Sequence, residues 1–119
     1  MTLTPELALA YLKELSADYR SGVILDAHGA TLAGDEELAQ AWPAGEPGVY
    51  EGVAETGKVF AIRARTHAIL ITTGPFALPR LSRHDLRKTL AGLGAENAQE
   101  SAIQTIPHGS VTALLRAAY

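Results

Sequence analysis

Asp26 and His28 stand two residues apart, with Gly29 behind them, in "SGVILDAHGATLAGD" (21–35). A carboxylate at that spacing can orient an imidazole as a general base. Such a pair also needs a nucleophile within reach, and no Ser or Cys pattern of the nucleophile-elbow kind accompanies it. Asp-Ala-His-Gly equally fits a type I turn, with Asp first to bond the backbone and Gly where φ can become positive. The turn is the expected reading. The stretch "GVAETGKV", Gly52 to Val59, matches the phosphate-loop pattern G-x-x-x-x-G-K-[ST] except at its last position. A phosphate loop needs that final hydroxyl for magnesium and a helix starting behind it. Here Val59 replaces the hydroxyl and "VFAIRAR" reads as a strand, so a hairpin turn with Gly57 at positive φ is expected instead.

The four histidines, His28, His67, His84 and His108, are dispersed without the i, i+4 pairing of a zinc site. "HD" at His84-Asp85 has no further ligands near it and reads as helix surface. No catalytic residue, metal ligand or cofactor site is expected, and the protein is not expected to be an enzyme. "PRLSRHDLRK" gathers Arg80, Arg83, Arg87 and Lys88. That cluster can take a phosphate or an acidic patch of a partner, or can simply solvate a polar face. Trp42, beside Leu38 and the following Val49 and Tyr50, suits an interface or a core.

Composition narrows the partners. With 47% hydrophobic and 19% charged residues in 119, the chain can fold as one domain. Its net charge of −3 offers no positive field for nucleic acid or an anionic membrane. The absence of cysteine removes disulfides and thiolate chemistry and suits a reducing compartment. "MTLTPELALAYLKEL" carries Glu6, Lys13 and Glu14 through its apolar positions, so it reads neither as a signal peptide nor as a membrane span. A cytoplasmic location is expected.

The elements that position these residues follow from periodicity and caps. Thr4-Pro5 starts a helix with Leu7, Ala8, Tyr11, Leu12, Leu15 and Tyr19 on one side. Val23-Ile24-Leu25 is an aliphatic run for a strand covered on both faces, and Thr31-Leu32-Ala33 returns. Asp35 caps a second, short helix with Leu38, Ala41 and Trp42 on one side, ended by Pro43, Gly45, Pro47 and Gly48. Three strands follow as an antiparallel meander: Val49 to Ala54, Val59 to Arg65 with one face wet near its end, and a central His67 to Thr73. Ser82, spaced Ser-x-x-Asp to Asp85, opens a third helix with Leu86, Leu90 and Leu93 inward and Gly94 as stop. Residues 1–95 form the expected domain; 96–119 form a C-terminal extension, helical at 110–118, docked or shared with a partner.

That order, α-β-β-α-β-β-β-α plus the extension, resembles the roadblock/LC7 family. The carrying residues are "ALAYLKELSADYRSGVILDAHGATLAGD", a helix running into a Gly-x-x-x-Asp-x-x-Gly hairpin, and "VFAIRARTHAILITTG", the two strands closing the sheet. The resemblance implies a profilin-like α/β sandwich, a five-stranded antiparallel sheet with helices on both faces. It further implies a non-enzymatic homodimeric adaptor or regulator of a Ras-like small GTPase. The dimer is then joined through the second helix and third strand, here Asp35 to Trp42 and Val49 to Ala54. The interface residues are Leu38, Ala41, Trp42, Val49, Tyr50, Glu51 and Val53. An unpaired edge with Val49 and Val53 invites a partner strand. Arg63, Arg65, Arg80 and Arg83 are the arginines such a regulator could insert into a GTPase. The alternative function is a small-ligand sensor of PAS-like or profilin-like fold, with the basic cluster holding an anion.

Overall fold

A computed structural model describes residues 2–16, 18–42, 46–94 and 103–117. The first helix, α1 (Pro5–Leu15), starts as its caps dictate: the Thr4 hydroxyl accepts the Leu7 amide at 3.3 Å and Pro5 occupies the first turn. Ala8 and Leu12 are its buried residues, whereas Leu7 and Leu15 of the expected stripe are exposed. Tyr19 is not on this helix. The Ser16 amide closes the last turn onto Leu12, and Asp18 at φ 62 redirects the backbone, so Tyr19 opens β1 (Tyr19–Asp26) instead.

The remaining elements are β2 (Thr31–Gly34), α2 (Glu36–Ala41), β3 (Gly48–Ala54), β4 (Gly57–Arg63), β5 (His67–Thr73), α3 (Pro79–Gly92), β6 (Gln104–Thr105) and α4 (His108–Ala117). Asp35 caps α2 through the Glu37 amide at 3.0 Å. The helix ends with Trp42 as its C-cap; of the residues expected to end it, Pro43 and Gly45 lie outside the described residues, as does the expected domain boundary at 95. The third helix starts four residues earlier than the Ser-x-x-Asp pattern, with Ser82 as N-cap, suggests. Pro79, which has no N–H to satisfy, serves as the first helical residue, and no side chain caps it. Ser82 is buried, and Asp85 instead accepts the Ser16 hydroxyl at 3.3 Å.

The sheet order is β2-β1-β5-β4-β3-β6. Every neighbouring pair is antiparallel except β3 with β6, which run parallel through Tyr50 opposite Gln104 and Glu51 opposite Thr105. The sheet is therefore six-stranded and mixed, where five antiparallel strands were expected. Two residues without an apolar alternation give no periodic signal, which is why β6 was not foreseen.

Alternate residues of the central strands feed two cores. On one face Ile24, Phe60, Ile62, Ile69 and Ile71 pack with Ala8 and Leu12 of α1 and Leu86 and Leu90 of α3. On the other, Val23, Leu25, Val59, Ala61 and Leu70 pack with Leu38 and Trp42 at α2 and Val111, Leu114 and Leu115 of α4. Helices thus cover both faces of a mixed α/β sheet. The face of β4 expected to be wet near its end is so: Ala61 is fully buried in the core that α4 shares, Arg63 at the strand end is partly open and Arg65 just beyond it is exposed.

Candidate interaction surfaces

The two stretches that resembled reactive sites are turns. Asp26 Oδ1 accepts the His28 amide at 2.8 Å and the Ala30 amide at 2.9 Å, and the Gly29 amide donates to the Asp26 carbonyl. These bonds, led by that from Ala30, hold the Asp26 carboxyl below its ordinary value. The carboxylate is thus committed to the backbone of the turn, and Gly29 at φ 83 completes it. Among the described residues no three His, Asp or Glu side chains form a group that could hold a metal.

Gly52 to Val59 forms the β3–β4 hairpin, with Ala54 paired to Gly57 around the loop residues Glu55 and Thr56. Val59 is buried in β4, and the Lys58 ammonium donates to the Ala77 carbonyl at 2.9 Å. Gly57 does not adopt the positive φ expected of it. Its requirement is closeness: a Cβ there would collide with the Thr73 carbonyl oxygen of β5.

The residues expected at a dimer or partner interface are largely engaged within the chain. Leu38, Trp42 and Val49 are buried, and Ala41 and Tyr50 pack against the core that α4 shares. The Arg63 guanidinium stacks on the Trp42 ring, 4.4 Å from its centroid, and burial lowers its pKa. The Tyr50 hydroxyl donates to the Glu46 carbonyl. Glu51 pairs with Arg83 of α3 at 2.7 Å, and its carbonyl accepts the Ile106 amide at 2.8 Å. Only Val53 of this set is exposed, at 58%. β6 lies against the β3 edge at Tyr50 and Glu51, so that edge is partly occupied.

The basic residues of α3 separate by direction. Arg83 faces β3 through Glu51, whereas Arg80, His84 and Lys88 recur every four residues along the exposed side and Arg87 is partly buried. The feature sequence reading missed lies beside them. Phe76, Leu78 and Leu81 are 84%, 60% and 54% exposed, and Leu7 and Leu15 of α1 are 59% and 44% exposed. Contacts of the neighbouring residues bring the end of α1 to the head of α3. The Asp18 carboxylate accepts the Phe76 amide at 3.1 Å, and Ser16 binds Asp85, one turn after Leu81. Leu15, Phe76, Leu78 and Leu81 therefore gather at one end of the α1–α3 pair. Their signal in sequence was present: "GPFALPRLS" holds Phe and Leu at positions that no core stripe claims.

A separate open cleft of about 440 Å³ runs between α1 and the β1–β2 strands, bordered by Lys13, Arg20, Glu6, Asp35 and Tyr19. Burial pushes the Tyr19 phenol up to about 12. The basic residues of α3 do not line it. No helix among the described residues is long and apolar enough to cross a membrane. Comparison with protein-family models, with curated proteins and with solved structures returned no match.

Proposed function

We propose that this protein is a non-enzymatic, homodimeric adaptor of the roadblock type that binds a Ras-like small GTPase and responds to its nucleotide state. The observation that carries this reading is the row of large apolar side chains left in solvent along α1 and the head of α3. Exposed apolar side chains grouped in this way and rimmed by charge mark surfaces that meet other proteins. The layout supports the same reading, with helices covering both faces of one sheet and the hairpin stretches spent on turns. Calorimetric titration against Ras-like GTPases of the source genome, loaded with GDP or with a non-hydrolysable GTP analogue, tests it. Binding that prefers one nucleotide state by roughly tenfold or more is expected. Heat of binding in neither state contradicts it.

The cleft between α1 and β2 favours a second reading, a sensor for a small ligand. Lys13 and Arg20 line it together with Glu6 and Asp35, which suits a compound carrying both signs of charge better than a simple anion. A rise in melting temperature with amino acids or related zwitterions would support this reading.

A further inference from the structure

We infer that the cleft between α1 and β1–β2 holds a linear molecule with an ammonium at one end, a carboxylate at the other and an apolar middle, its two charges about 10 Å apart. The inference rests on the small-ligand reading of that cleft and gives the ligand a length and a direction. Glu6, Leu9, Ala10 and Lys13 of α1 all border the cleft. Steps of three, four and seven residues make them one stripe of the helix, with the acid and the base two turns apart at its ends. At 1.5 Å per residue those ends lie about 10 Å apart along the axis. Leu9, between them, stands level with Gly22 and Gly34, where an added Cβ would meet its side chain at 3.1 and 2.9 Å. Gly22, Ala33 and Gly34 form the facing wall, and their small size leaves the space above Leu9 and Ala10 open.

The polar groups of the cleft divide into those already committed and those left free. Arg20 donates to the Thr56 carbonyl at 2.9 Å, the Ser21 hydroxyl is hydrogen-bonded to that of Thr72, and Asp35 accepts the Glu37 amide as the cap of α2. Among the described residues Glu6 and Lys13 form no ion pair and the Tyr19 hydroxyl makes no hydrogen bond. That hydroxyl lies at the middle of the cleft, 2.7 Å from where a Cβ on Gly22 would stand. Burial pushes the phenol up to about 12, so it stays a neutral donor near neutral pH. Lys13 and Tyr19 are therefore the donors for a carboxylate, and Glu6 is the acceptor for an ammonium. An α-amino acid, whose two charges flank a single carbon, cannot reach both ends. Extended trialanine and ω-aminooctanoate, each about 10 Å long, can. They share the terminal groups and differ in the middle.

Calorimetric titration of the wild-type chain with these two compounds tests the inference, with glycine, leucine, octanoate and octylamine as comparators. At least one of the two long zwitterions is expected to bind roughly tenfold or more tighter than every comparator. Tighter binding of trialanine identifies short peptides as the source and tighter binding of ω-aminooctanoate identifies ω-amino acids, and either supports the inference. Glu6 and Lys13 are exposed, so Glu6→Gln and Lys13→Gln should keep the native circular dichroism while each weakens binding roughly tenfold. Tyr19→Phe should weaken binding roughly threefold or more with the melting temperature unchanged, because the hydroxyl it removes bonds nothing within the chain. Wild-type affinity in any of the three variants overturns the inference. Glycine or leucine bound as tightly as the long zwitterions also overturns it and leaves the small-ligand reading standing. Heat of binding from none of the compounds overturns both.

Discussion

Gly34 and Gly29 both adopt positive φ, 96 and 83, yet their substitutions should differ sharply. A Cβ at Gly34 would strike the Gly22 carbonyl and crowd Leu9 and Val23, whereas at Gly29 it meets nothing within 4 Å. Gly34→Ala should cost about 2–4 kcal/mol in urea unfolding, and Gly29→Ala about 1 kcal/mol, the left-handed backbone penalty alone. Asp26 gives a prediction with a sign. Its folded pKa lies below the unfolded one, so its contribution to stability is present above the ordinary carboxylate value of about 3.9 and is lost as pH falls through the lower folded value. Asp26→Ala should therefore be less stable than wild type at neutral pH, with the gap closing in acid. A constant gap across that range would contradict the role of the carboxylate charge. At this scale the sequence was legible wherever a residue answers to its own neighbours: the Asp26 turn, the Thr4 and Asp35 caps. It was not legible where the need comes from a distant strand, as at Gly57 under Thr73 or Asp85 beside Ser16.

α4 separates an attached tail from a working layer of the fold. Leu114 is fully buried in a core with Leu38, Val59, Ala61 and Leu70. Leu114→Ala should lower stability by about 2–5 kcal/mol, measured by thermal or denaturant unfolding, as a cavity in any shared core does. A loss below about 0.5 kcal/mol, the range of surface substitutions, would mean that α4 stands apart from that core. Arg83–Glu51 ties α3 to β3, but both side chains remain partly exposed. A double-mutant cycle should give a coupling below about 1 kcal/mol that shrinks in high salt. The central strands were readable because Val23-Ile24-Leu25 and Ile69-Leu70-Ile71 are aliphatic on both faces, which requires cover on both sides. The stripe of Val111, Leu114 and Leu115 announced a helix, but which surface it covers is a tertiary fact. Once α4 lies over it, Trp42 and Leu38 read as core, and among the described residues most of the exposed large apolar side chains lie on α1 and at the head of α3, with Val53 of β3 and Ile103 also in solvent.

For the whole molecule, the arrangement places one helical layer inward and closed, that of α2 and α4, and leaves the other, of α1 and α3, with apolar side chains outward. The adaptor proposed above would take the sheet between the two cores as its rigid frame and the α1–α3 side as its open face. Sedimentation equilibrium of the wild-type chain at micromolar concentration tests the account most directly. It predicts a mass twice the 12.6 kDa of the single chain. A mass that stays at 12.6 kDa up to the highest soluble concentration would contradict it.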